Sequence, residues 1–472
     1  MIFDFNQTNP SSVFDREFDV VVVGAGAAGI TLALALSEKG RSVALVEAGG
    51  LEYSEESQEQ YKGSVVGDSY FDLDVARLRF LGGSTNHWGG WCRTFEPVDF
   101  ERGYLGEAYK WPLSFTEVDC YKAQACEILE ISSEFEAAYP TISEIKQIIF
   151  QFSPPVLFGQ KYQNALERRD SVALILNANM TDVGGENRTV EAVGIESYSG
   201  HHARVRGKKV VLAMGGIENS RYLLWINAHK AGHFFDPSLP LGAYWMEHPH
   251  SILGDAIIDR SKVPHPFYAL TGHAQKQLRI LGCGLRIHPL DSIATKTLIE
   301  ELLYIAPALG KRLARQAEQD LAFGAHFRAA WEQSPSIEST VTLSRERDRF
   351  GVPRVALHWR KAPFDRETLV KSIEVFNDWL LKKDAGRIRL SDWLLNNGDY
   401  PASDELAGYH HMGGTRMHRS PRYGVVDRNS KIFGSKNLYV AGSSVFTTGG
   451  HNNPTLPIIQ LTLRLADHLL RD

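Results

Sequence analysis

A short apolar run, Phe18 to Val23 (FDVVVV), passes directly into Gly24-Ala25-Gly26-Ala27-Ala28-Gly29, and this junction limits the chain more than any other stretch. A run rich in β-branched residues reads as a strand buried on both faces of a parallel sheet. Gly24 suits a tight turn, Gly26 lets backbone approach a pyrophosphate, and Gly29 lets a helix pack closely. Ile30 to Lys39 then reads as a helix stopped by Gly40, and Ser42 to Val46 as a second strand ending in Glu47. The helix N-terminus offers unbonded N–H groups and the positive end of its dipole to phosphates. Glu47 is placed to accept hydrogen bonds from a ribose diol. Strand, glycine turn, helix, second strand and acid in this order predict a dinucleotide-binding unit, against the alternative of a purely structural glycine turn.

At 472 residues the chain exceeds one compact core and suits two joined domains. Its net charge of -5 gives no basic footprint, so no nucleic-acid partner is expected. The four cysteines, Cys92, Cys120, Cys126 and Cys283, form no C-x-x-C, so neither a zinc site nor a redox dithiol is expected, and no metal. They read as reduced thiols of a reducing compartment. The N-terminus lacks the pattern of a secretory signal, and no apolar run approaches the ~20 residues of a membrane helix. A cytoplasmic protein without a membrane partner is the expectation.

Further along, Leu78 to Phe95 (LRFLGGSTNHWGGWCRTF) is a glycine- and aromatic-rich loop whose glycines permit close backbone approach to a ligand. Between Ser171 and Leu224 strand patterns return, ending in a strand, a glycine turn and a helix start (GKKVVLAMGGIENSRYLL). Residues 250 to 400 look different, with a basic helical segment from Thr297 to Trp331 and strand candidates STVTLS and PRVALHW. Pro454 to Leu470 is apolar on nearly every face and reads as a buried helix. These patterns predict an α/β architecture: a Rossmann-like nucleotide-binding domain from residues 15–110, 170–250 and 405–472, and an inserted α+β substrate domain, built on an antiparallel sheet, from 111–169 and 251–404.

The fingerprint alone does not separate FAD from NAD. Three strings do: EAGG after the second strand, LGGSTNHWGGW, and AGSSVFTTGGHNNPT near the C-terminus. Together they resemble the glucose–methanol–choline (GMC) oxidoreductase family, in motif style its pyranose-oxidase-like, sugar-alcohol-oxidising members. The resemblance spans Asp19 to Leu470, and residues 250–400 add little to it. It implies FAD, held by Gly24, Gly26, Gly29, Glu47, Gly83, Asn86, His87, Gly442, Asn453 and Pro454, and oxidation of a CH–OH group. In some members a histidine in the Gly-Gly-x-x-x-His setting of His87 is covalently bonded to the flavin; others hold FAD by contact alone. In the family a histidine preceding a Gly-Thr pair is the base. In Tyr409-His410-His411-Met412-Gly413-Gly414-Thr415 the spacing from the threonine picks His411 and leaves His410 structural. Asn453, before Pro454, matches the family's second catalytic position, with His451 outside the pattern.

The chemistry suits such a pair. An alcohol proton must leave as hydride departs, and a neutral histidine with an ordinary pKa of ~6.5 can take it. Asparagine can hold the same hydroxyl without changing charge. Two departures stand out: Phe446-Thr447-Thr448 lacks a proline usual there, and His418 follows Met417 where glycine is usual. The expected substrate is a polar sugar-, polyol- or aminoglycoside-like alcohol, and the expected electron acceptor is oxygen, a quinone or another carrier. The alternatives are an NAD-dependent dehydrogenase and a non-catalytic FAD-binding protein.

Overall fold

The computed structural model describes residues 1–7, 11–135, 144–289, 299, 301–318, 322–401 and 407–472. Its first sheet grows from the strand Glu17–Val23, whose Val21 and Val22 are fully buried. Parallel neighbours follow in the order Ile2–Asp4, Val172–Leu176, Val43–Val46, Glu17–Val23, His202–Leu212. The 11-residue strand His202–Leu212 branches on its far side. Its first residues pair antiparallel with Ala192–Glu196, which pairs in turn with Asn179–Gly184. Its last residues pair parallel with Leu438–Val440.

The first helix runs from Ala27 to Glu38, starting within the glycine string rather than at Ile30. Gly40 adopts φ +77°, and the N–H groups of Gly40 and Arg41 return to the carbonyls of Ser37 and Leu36, closing the helix end. Ile30, Leu32, Ala33 and Leu36 pack with Leu456, Ile459 and Leu463 of the C-terminal helix Thr455–Arg471.

A six-stranded antiparallel sheet lies opposite, in the order Gly386–Leu390, His250–Asp259, Ala322–Trp331, Cys283–Pro289, Phe267–Leu270, Ile145–Gln147. One face packs beneath the helix Pro363–Lys382 through Leu369, Ile373, Phe376 and Leu380. Alternate residues on the other face, Gly284 and Arg286 on one strand and Arg328 and Ala330 on its neighbour, line a cavity. The helical expectation for Thr297 to Trp331 is corrected here. Residues 297, 298, 300 and 319–321 lie outside the described residues; of the rest, Pro307–Glu318 is helical, but Ala322–Trp331 is a strand. Ala325, Phe327, Ala329 and Trp331 are all buried, a period of two that helix-favouring alanine and arginine masked.

A third, three-stranded sheet joins Thr340–Arg347, Pro353–Trp359 and Gly63–Gly67. It brings residue 63 of the early chain against residue 355 of the late chain, around a core of Trp245, Leu357 and Trp359. Among the described residues no helix is long and apolar enough to cross a membrane, and no three His, Cys, Asp or Glu side chains group to hold a metal ion.

Candidate active site

The carboxyl ends of three parallel strands, at Val23, Val46 and Ala213, open into a cavity of about 860 Å3 that reaches across to the antiparallel sheet. Ligands of open α/β sheets bind at such strand ends. The glycine string builds one end. Gly24 (φ +104°) donates its N–H to Val46 O at 2.7 Å, and a Cβ there would stand 2.6 Å from Ala213 O. A Cβ on Gly29 would meet Gly24 O at 1.8 Å, so turn and helix touch only because Gly29 lacks a side chain. Gly26 is the opposite case: nothing of the protein lies within 4 Å of its Cβ position, which faces the cavity. Gly442 is open in the same way, and the Cβ position of Gly83 is 3.3 Å from Gly26 Cα. These bare backbone stretches, beside a helix N-terminus, form a cradle of the shape and polarity a pyrophosphate needs, and FAD fits it. Glu47 is 6% exposed and accepts the N–H groups of Ala25 (2.8 Å) and Gly49 (2.9 Å).

The loop after Leu81 lies across this cradle. Asn86 does not line the cavity: its amide donates to Leu81 O and Gly83 O, both at 2.9 Å, and so holds the loop's shape. His87 does line it, stacked 6.3 Å from the Tyr409 ring, with its pKa lowered by partial burial.

At the other end the two adjacent histidines diverge. His410 Nε2 lies 3.2 Å from Asn453 Nδ2, and His410 Nδ1 lies 2.8 Å from His248 Nδ1. His411 Nε2 instead lies 2.9 Å from the Tyr70 hydroxyl, with its ring 5.8 Å from Trp245. The spacing from Thr415 led to a pairing of His411 with Asn453; the structure pairs His410 with it. Met412 and Met246 exchange backbone hydrogen bonds as an isolated antiparallel bridge, just beyond the two histidines. The two rings face different neighbours, His410 toward Asn453 and His248 and His411 toward the Tyr70–Trp245 cluster. Both line the cavity wall.

Burial is the first cause of both histidines' depressed pKa values. His411 is held at about 3, with Arg77 and His87 adding to the effect. His410 is held well below the ordinary value, with His248, His250 and His411 adding. Beneath them the buried carboxylate of Glu247 accepts the backbone N–H groups of His410 and His248 and the Tyr70 hydroxyl, and burial raises its pKa to about 7. Neither Glu247 nor His248 stood out in the sequence reading. The signal was the string Glu247-His248-Pro249-His250, three titratable residues in four.

Pro454 is the N-cap of the helix Thr455–Arg471, whose first turn meets the cavity; its dipole end suits a group that gains negative charge. The antiparallel sheet and the loop supply the remaining wall. There Trp91, Phe150 and Phe267 pack edge to face at 5.2–5.6 Å, and the Arg286 guanidinium lies over Trp91 and Phe267.

Comparison with known proteins agrees with this geometry. Residues 335–462 match the GMC oxidoreductase family, and residues 19–230 match the FAD dependent oxidoreductase family. The chain is 22% identical over 548 aligned positions to 2-methyl-1,2-propanediol dehydrogenase of Mycolicibacterium austroafricanum, covering 96% of this chain and 95% of that one. It is 21% identical to the fructose dehydrogenase large subunit of Gluconobacter japonicus, covering 96% and 98%. Among solved structures, pyridoxine 4-oxidase from Mesorbium loti superposes with a TM-score of 0.61 at 15% identity, covering 97% of this chain and all of that one. With an FAD cradle at one end of its cavity, an FAD dependent oxidoreductase domain in its N-terminal part and a GMC oxidoreductase domain in its C-terminal part, the chain is an FAD-dependent oxidoreductase.

Proposed function

We propose that the protein oxidises a CH–OH group of a diol, polyol or sugar to a carbonyl, with His410 taking the hydroxyl proton and Asn453 holding the same oxygen. The contact between His410 Nε2 and Asn453 Nδ2, 3.2 Å apart in the cavity wall, carries this reading. Two groups that meet there can both reach one hydroxyl oxygen, one to accept its proton and the other to donate to it. FAD, bound in the cradle, supplies the hydride acceptor. The names of the relatives, a diol dehydrogenase and a fructose dehydrogenase, support a substrate with more than one hydroxyl. So does the wall of Trp91, Phe267 and Arg286, where an aromatic face and guanidinium donors suit a polyhydroxylated ring.

The test is anaerobic bleaching of the bound flavin by a panel of diols, hexoses, polyols and amino sugars. His410→Ala should slow reduction by ~10²–10⁴-fold, the usual worth of a general base, while His411→Ala stays within about tenfold of wild type. The reverse order returns the base to His411. A flavin that no compound of the panel bleaches removes the alcohol-oxidising reading and leaves a flavin-binding protein without this chemistry.

A further inference from the structure

The partners of His248 and His410 leave room for one arrangement of protons. His248 is 1% exposed, and its Nε2 lies 2.7 Å from Gly450 O. A carbonyl oxygen only accepts, so Nε2 of His248 carries a hydrogen. A neutral imidazole has a single N–H, which leaves a lone pair on Nδ1 of His248. That lone pair faces Nδ1 of His410 at 2.8 Å, so this nitrogen must be the donor. His410 Nε2 is then the nitrogen with the free lone pair, and the Asn453 amide N–H group points at it from 3.2 Å. Burial holds the pKa of His248 at about 4, which keeps it neutral at ordinary pH. Every link from Gly450 to Asn453 sets a donor against an acceptor. The chain also ties the two catalytic strings together, since Gly450 is three residues before Asn453 and His248 lies two residues beyond the Met246–Met412 bridge.

We infer that His248 is a positioning residue: it keeps the proton of His410 on Nδ1 and so makes His410 Nε2 the proton acceptor that faces the substrate. This rests on the reading of His410 as the base. The arrangement selects the tautomer that a histidine free in water favours less, so it needs a dedicated partner. A ring nitrogen's role is set by the bond the other nitrogen makes.

The experiment uses FAD-loaded protein labelled with 15N-histidine, in wild type, His248→Phe and His248→Asn. In the wild type the His410 resonances, identified by their loss in His410→Ala, should show the Nδ1–H tautomer. His248→Phe keeps a planar ring but no lone pair; it should shift His410 toward Nε2–H and slow flavin reduction by ~10²-fold or more, with FAD content and substrate KM nearly unchanged. His248→Asn offers an amide oxygen to accept and an NH2 to donate, and should recover most of the rate. A wild-type His410 protonated on Nε2 overturns the inference, as does a His248→Phe enzyme that reduces its flavin at the wild-type rate. If His248→Phe does not fold, the wild-type tautomer decides alone. An unimpaired His410→Ala enzyme would sink the base assignment, and the tautomer measurement keeps that failure separate from this one.

Discussion

The two oxygens of Glu47 are divided between two turns: one accepts the Ala25 N–H at 2.8 Å, the other the Gly49 N–H at 2.9 Å. The acid therefore clamps the turn after the first strand to the turn after the second, and each oxygen keeps a lone pair for a ligand. Glu47→Ala should weaken FAD binding by at least tenfold, because hydrogen bonds to charged groups are worth ~1.5–3 kcal/mol each. Glu47→Gln, with one accepting oxygen, should fall between. Titrating apoprotein with FAD by flavin fluorescence measures both. An alanine variant of unchanged affinity would take Glu47 out of the site.

The cradle was legible from sequence because each of its residues answers a local demand. Gly29 is required by a contact that any Cβ would block, and Glu47 by the end of a strand four residues long. Which of His410 and His411 meets Asn453 was not legible. Counting from Thr415 carries no information on the backbone around the pair, where Tyr409 has a left-handed φ of +57° and Met412 bridges to Met246. His248 reaches the site from 162 residues away, so no local pattern could report its contact with His410. The strand Ala322–Trp331 was missed for another reason. Its buried alanines satisfy the alternation of a sheet while carrying the propensity of a helix.

The pH dependence of flavin reduction should bear the mark of a buried base. A histidine of ordinary pKa would lose its free lone pair as pH falls through ~6.5, and the rate would then drop tenfold per pH unit. Burial, with His248, His250 and His411 nearby, lowers the pKa of His410 well below that value. It therefore stays neutral, and able to accept a proton, further into acid. Stopped-flow reduction at saturating substrate should be flat from pH 8 to below pH 6. An acid limb centred near 6.5 would mean that the base is not held in this environment.

His87 tests how the flavin is held. Its ring lines the cavity, and among the described residues it makes no hydrogen bond, so both nitrogens are available to a cofactor. A covalent bond at this position and a contact alone are the two alternatives, and they separate on acid precipitation. If the bond is present, acid-precipitated wild-type protein should keep its yellow colour in the pellet, and His87→Ala should release it to the supernatant while still binding FAD. Colour wholly in the wild-type supernatant would reduce His87 to a contact residue.

Gly26 and Gly29 look alike in the sequence but should fail in different ways. A Cβ on Gly29 would lie 1.8 Å from Gly24 O, a backbone atom that cannot yield without moving the turn or the helix. Gly29→Ala should therefore destabilise the protein whether or not FAD is present, at the upper end of the ~1–3 kcal/mol typical of overpacking. A Cβ on Gly26 meets no protein atom within 4 Å, and the residue's φ of -85° is open to any L-amino acid. Gly26→Ala should fold as the wild-type apoprotein does, with an apo Tm within a few degrees, yet project a methyl group where the pyrophosphate must approach. Its FAD affinity should fall by tenfold or more, a loss that only the cofactor feels. Thermal melts of the two apoproteins, followed by FAD titration of whichever folds, separate the cases. If Gly26→Ala melts like wild type and binds FAD equally well, the pyrophosphate does not pass Gly26, and the cradle has to be sought around Gly83 and Gly442 instead.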